Sequence, residues 1–261
     1  MNSAIDYFTL KLPFRAGGMT HKTKGIVLRT IKYGETSLVV TIFTELFGVQ
    51  TYMVNGVRST KKSSAKANYF QPAAILDLIV YYSENKSMHR IKEFSWGFLY
   101  ENVLTDVIKN SISSFMMELL QKCLKQPEAN ADLYNFCEAA LTQLDTSSKK
   151  IAANFPLFFA LHLTHFFGFR MADNYDTATL FLDLEEGIFI DHQPIHPHFI
   201  DGEKASLTSQ LLKVMQPYEL EEFNLNHTLR RQLLLHYQDY YALHIAEFGQ
   251  MKTLMVLHEV L

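Results

Sequence analysis

The feature that most restricts this chain is a change of hydrophobic period near residue 99. Before it come five short runs rich in apolar, β-branched and aromatic residues, the first of them alternating: TKGIVLRTIKY (23–33), LVVTIFT (38–44), VQTYMVNGV (49–57), AAILDLIVYY (73–82) and MHRIKEFSWGF (88–98). Alternation over so few residues, with β-branched and aromatic side chains, reads as strand. In the first run it sets Ile26, Leu28 and Thr30 on one side and Val27, Arg29 and Ile31 on the other. Turns are marked by YGET, by Phe47-Gly48 and by SENKS, and the long break falls between the third and fourth runs. Five short strands packed into about 75 residues predict a small closed barrel, because closure removes the unpaired edges of an open sheet.

After residue 99 the spacing becomes three and four. LYENVLTDVIKNSISSFMMELLQKCL (99–124) and ADLYNFCEAALTQL (131–144) read as helices with one apolar face. NFPLFFALHLTHFFGF (154–169) is apolar on nearly every side, which predicts a helix in the middle of a bundle. Pro156 would fit its first turn and Gly168 its end. Residues 170–200 are mixed, with a short hairpin expected around Glu185-Glu186-Gly187. Helical sequence resumes at 203–215 and 226–245 and in the final MKTLMVLHEVL. The expected organisation is therefore α+β with two domains: a loose extension over 1–18, a barrel over 19–98 and a helical domain over 99–261 with a hairpin region at 170–200.

Charge follows the same division. The chain carries a formal −3, yet residues 19–68 hold eight Lys and Arg against two Asp and Glu, a net +6, and residues 69–261 hold 14 against 24, a net −10. The cations concentrate in VNGVRSTKKSSAKANYFQP (54–72), where Arg58, Lys61, Lys62 and Lys66 alternate with small hydroxyl residues and no carboxylate. Such a loop at a barrel rim can follow phosphates without demanding base identity, so the front module is expected to meet a polyanion. Tyr33, Phe43, Tyr52, Tyr69, Phe70 and Trp96 lie in or beside it; Tyr69 and Phe70 could stack on bases or plug the end of the barrel.

Other functions find little support. The chain contains no GxxxxGK[ST], GxSxG, HExxH or GxGxxG and no CxxC pair, so it is expected not to be an enzyme and to need no cofactor. Asp191, His192, His196 and His198 form the best metal candidate, but Pro194 and Pro197 break any regular ligand geometry, and a polar loop is the preferred reading. His162 and His165 sit on the apolar helix and read as core histidines. Cys123 and Cys137 fall in helical sequence and read as buried, free thiols. The first 18 residues lack a compact apolar run and do not read as a secretory signal, and no stretch is apolar enough to span a membrane.

The stretch KGIVLRTIKYGETSLVVTIFTELFGVQTYMVNGVRSTKKSSAKANYFQPAAILDL resembles the amino-terminal region of RecO, the bacterial recombination mediator family. The likeness lies in the KGIVL strand, the YGE turn, the TIFT strand with its following Gly, the NGVR step, the Ser-containing basic loop and the QP before the next strand, over about residues 22–82. It is weaker over the helices, where a GFR segment at 168–170 matches. The resemblance implies an OB-fold at the front, binding of single- and double-stranded DNA, strand annealing, and help in loading RecA onto DNA coated by single-strand-binding protein (SSB). It implies RecR and the acidic, apolar SSB tail as partners, and a bacterial cytoplasmic, nucleoid-associated setting. Its DNA surface maps onto Arg29, Lys32, Arg58, Lys61, Lys62 and Lys66, with Lys22 and Lys24 as weaker members. A cation beside the tail site would come from Arg170, Arg230, Arg231, Lys122 or Lys125. Many members carry a four-cysteine zinc module after the GFR segment; this chain has MADNYDTATLFLDLEEGIFIDHQPIHPH instead, so a metal-free form is expected. The rival readings are an interaction scaffold, whose basic barrel binds an acidic protein, and a hydrolase with a histidine metal site at 191–198.

Overall fold

The computed structural model describes residues 19–57, 66–176 and 178–261. The expected extension over 1–18 and the cations Arg58, Lys61 and Lys62 lie outside the described residues.

Five strands form the front of the molecule: β1 (Thr20–Tyr33), β2 (Ser37–Thr44), β3 (Gly48–Val54), β4 (Ile75–Tyr81) and β5 (His89–Trp96). They close in the order β1-β2-β3-β5-β4, all antiparallel except a short parallel β3–β5 seam. Val27, Val40, Ile42, Leu76, Leu78 and Val80 point inward and fill the barrel. The connection between β3 and β4 returns through a 3-10 turn, Asn68–Phe70, and Phe70 stoppers the interior at 1% exposure. The Thr30 hydroxyl donates to the Phe70 carbonyl and ties that stopper to β1.

The alternation read from the sequence breaks in the middle of β1. Val27 pairs with Ile42 but Arg29 pairs with Thr41, so one extra residue, Leu28, is bulged out. The bulge shifts the phase of every later residue. Ile26 and Leu28 share the outer side with Arg29 and Ile31, while Val27 and Thr30 share the inner side. This corrects the simple two-sided pattern.

Behind it, the described residues form six α-helices: α1 (Val107–Cys123), α2 (Ala131–Thr146), α3 (Lys149–Leu163), α4 (Gly202–Leu212), α5 (His227–His244) and α6 (Lys252–Val260). α3 is central, as its apolar composition predicted, but it begins earlier. The Ser148 hydroxyl accepts from the Ile151 N–H and caps it, so Pro156 lies inside the helix and not in its first turn. α1 begins later than expected, at an Asp106 cap. Residues 101–103 are held out of the helix because their N–H groups all donate to the buried Asp145 carboxylate, at 2.7–2.8 Å. The expected hairpin is present as β6 (Phe181–Asp183) and β7 (Ile188–Ile190), and β8 (Phe199–Asp201) joins it in a three-stranded sheet.

Barrel and helices share one core. Ile26, Leu28, Phe43 and Ile75, on the outside of the barrel, pack with buried residues of α1, α2 and α3. The Phe43 and Tyr134 rings meet at 5.7 Å. Gly48, at φ +61°, opens β3 directly against the Glu128 carbonyl in the α1–α2 connection, where any Cβ would collide. Cys123 and Cys137 are buried and free, and burial pushes both thiols up.

Candidate nucleic-acid interface

The bulge decides where the cations of β1 go. Arg29, Ile31 and Tyr33 lie on the outer side, opposite Thr41, Val39 and Ser37 of β2. β3 continues the row with Thr51 opposite Thr41 and Met53 opposite Val39. The helices cover the outside of the barrel around Ile26 and Phe43 but not here: Arg29 is exposed, Ile31 is 46% and Tyr33 57% exposed. Lys32 follows the inner parity, opposite Leu38, yet it is exposed because it lies beyond the filled interior. It therefore stands at the mouth of the barrel. Lys66, also exposed, enters the 3-10 turn that stoppers the same mouth.

The described cations expected to meet DNA thus divide between two adjoining surfaces: Arg29 on the β1-β2-β3 flank, Lys32 and Lys66 at the mouth. Among the described residues, none of the three enters an ion pair. Lys24 is different. Its ammonium donates to Glu138 of α2 at 2.9 Å, and that bond raises its pKa. Lys24 is a brace between barrel and helices, while Lys22 is exposed near the opposite end of β1.

The aromatics sort by the same geometry. Phe70 is the plug. Tyr69 stacks on Trp96 at 4.5 Å and meets Phe94 edge-on, so its face is engaged within the barrel end. Phe43 and Tyr52 are fully buried. Tyr33 is the aromatic left open beside Arg29, a placement that the phase shift at Leu28 creates and that a regular alternation conceals. The end of the barrel away from the mouth is closed by Phe47 and Tyr82, stacked at 4.0 Å, over His89. Gln50 donates its amide to the Phe47 carbonyl, which leaves its oxygen to accept from His89 Nε2 at 3.1 Å. Burial holds the His89 pKa down and keeps that ring neutral.

The remaining candidates of the helical domain take structural or separate roles. Lys122 donates to the Phe248 carbonyl and lies 5.1 Å from the centre of its ring. Arg230 donates to the carbonyls of Leu225 and Leu261. Arg170, Arg231 and Lys125 are exposed. His165 is exposed and not in the core; His162 is half-buried, and desolvation pushes its pKa down to about 4. At 191–198, His192 pairs with Asp191 at the surface, and His196 contacts Asp183 at 3.2 Å and Glu185 at 3.6 Å. No group of three or more His, Cys, Asp or Glu is placed to hold a metal ion among the described residues. Nor is any described helix long and apolar enough to cross a membrane.

Comparison with known proteins agrees with this division. The family model described as Recombination protein O N terminal matches residues 19–98, and Recombination protein O C terminal matches 104–253. The chain is 35% identical over 248 residues to the DNA repair protein RecO of Flavobacterium psychrophilum, covering 93% of this chain and 99% of that protein. It is 33% identical over 244 residues to the DNA repair protein RecO of Bacteroides fragilis, with the same coverage. The DNA repair protein RecO of Azobacteroides pseudotrichonymphae is 28% identical over 242 residues, again across 93% and 99%. With both family models matched in order along a closed barrel and a helical domain, the chain belongs to the RecO family of DNA repair proteins.

Proposed function

We propose that this chain is a non-enzymatic mediator that binds single- and double-stranded DNA through its barrel, anneals complementary strands and assists the loading of RecA onto SSB-coated DNA. The observation that carries this reading is the exposure of Arg29, Lys32 and Lys66, without ion-pair partners among the described residues, on a barrel of net positive charge. Cations so placed can neutralise phosphates, release their condensed counterions and lower the repulsion between two strands. Arg58, Lys61 and Lys62 extend the set by sequence. Tyr33 and Ile31 beside Arg29 supply apolar surface for an unstacked base.

The expected partners are RecR and the acidic, apolar tail of SSB. A tail of that kind needs an apolar cleft with a cation at its edge. A cavity of about 260 Å³ beside Lys125, lined by Leu133, Phe166 and Phe167, supports such a reading, although Glu128 lines it too. The helical domain's net negative charge favours keeping DNA on the barrel side.

Titration of labelled single-stranded and duplex oligonucleotides at several salt concentrations tests the central claim. Binding should weaken with salt at a log–log slope of about −0.7 per phosphate contact for single strands and about −0.9 for duplex. Absence of binding at low salt, with retention of an acidic protein by the same barrel, would replace the mediator by the scaffold reading.

A further inference from the structure

A second cleft of the helical domain has no part in the function proposed above. It has a volume of about 330 Å³ and lies between α3 and the segment 223–226 that leads into α5. Lys150 and Arg230 line it, and neither enters an ion pair among the described residues. Arg230 directs both terminal nitrogens to backbone carbonyls, but its Nε is buried without an acceptor. Burial also pushes its pKa down, as expected of a guanidinium with no counter-charge. Asn154, also in the lining, is 1% exposed. Its amide nitrogen donates to the carbonyls of Leu220 and Phe223, while its Oδ1 is buried without a donor. Leaving a buried donor or acceptor unmet is costly, so an orphan donor and an orphan acceptor on two residues that line one cleft require a reason. Phe223 and Leu225 supply an apolar wall, and no carboxylate is among the lining residues described.

We propose that this cleft binds a small organic phosphate bearing its own hydroxyl or amino donor, a mononucleotide being the class that fits. Lys150 and the Arg230 Nε suit phosphate oxygens. The Asn154 oxygen calls for a donor, which a bare carboxylate lacks. The wall at Phe223 suits a sugar or base, and the volume lies at the small end of ligand sites. A DNA strand is the poorer occupant: residues 99–261 hold 21 Asp and Glu against 11 Lys and Arg, so a continuous polyanion leaving the cleft would cross acidic surface.

Calorimetric titration of the full chain carrying Arg29→Glu and Lys32→Glu, so that the barrel does not compete, tests the site with AMP, adenosine and inorganic phosphate separately. AMP should bind saturably at one site with a Kd below about 1 mM, at least tenfold tighter than adenosine or phosphate alone. Lys150→Ala should weaken it by roughly tenfold, the loss of one charge-assisted contact, and leave oligonucleotide affinity of the otherwise unaltered chain unchanged. Asn154→Leu should weaken AMP more than phosphate; if that variant does not fold, Lys150→Glu carries the test. No saturation by about 10 mM AMP would overturn the proposal. So would AMP binding indifferent to Lys150, phosphate binding as tightly as AMP, or an acidic peptide occupying the cleft where AMP does not. Loss of DNA binding in Lys150→Ala would overturn the separation of this cleft from the barrel.

Discussion

The barrel and the helical domain use their residues in opposite ways. In the barrel, strands commit alternate residues to the interior and leave the others facing out, so the flank of Arg29, Ile31 and Tyr33 remains available to a ligand. In the helical domain, α3 is enclosed: ten of its residues are buried, from Ala152 to Leu163, and its surroundings carry the negative charge. A half-committed surface can hold cations at no cost to its core. A wholly enclosed helix cannot, which makes the domain behind the barrel a frame and the barrel flank the open face.

The largest test of that contrast is at the junction. Asp145→Ala removes the acceptor of three backbone N–H groups at residues 101–103. The expected loss is about 3 kcal/mol, because one buried and two part-buried donors are left unmet next to the shared core. It should appear as a lowered denaturation midpoint with the barrel and helical signals still falling together. Separate transitions would show that the two regions are less coupled than their common core implies.

Charge reversal sharpens the comparison next. Arg29→Glu with Lys32→Glu should lower oligonucleotide affinity by roughly ten- to a hundredfold at low salt and flatten the salt slope by about two contacts. Lys213→Glu, an exposed pair partner of Asp173, serves as the counterpart in the helical domain and should change affinity less than about twofold. Equal effects from both regions would dissolve the distinction between face and frame.

Acid should act on the frame first. Burial alone would raise the pKa of Glu118, but bonds from the Thr253 hydroxyl and the N–H groups of Lys252 and Thr253, with Lys122 nearby, bring it below its ordinary value. A depressed carboxylate stabilises the fold above its unfolded pKa and loses that contribution as pH falls through the folded value. Stability measured by denaturation should therefore decline as pH drops below about 4.5. Glu118→Gln should remove part of that dependence, at a cost of about 1 kcal/mol at neutral pH once solvent screening is allowed for. An unchanged acid profile would mean that α6 is held by its apolar contacts alone. The smallest effect belongs to Lys24→Ala, which breaks a partly exposed pair with Glu138 and should cost about 0.5 kcal/mol, vanishing at high salt.

Much of this was legible in the residues. Short β-branched and aromatic runs, separated by turns, marked all five barrel strands, and the all-round apolar stretch marked the central helix. The failures share a cause: they depend on partners far away in sequence. Nothing within 99–106 shows that its N–H groups will be claimed by Asp145, some forty residues on. Ser148 was the visible sign that α3 starts before Pro156, but a proline in an apolar run was read as a beginning. β8 has three residues, too few for a period to emerge. Within the site, Lys24 looked like Lys22 until the fold placed Glu138 against it, and Tyr33 looked less available than Tyr69 until the bulge set it outside.

The bulge at Leu28 has one more consequence. It puts two consecutive residues on the same outer side, Leu28 sealed against the helices and Arg29 bare. The border between sheltered and open barrel therefore runs through a single peptide bond, with no neutral margin. Arg29 thus lies one residue from the packed helical body, which bounds the open flank on that side.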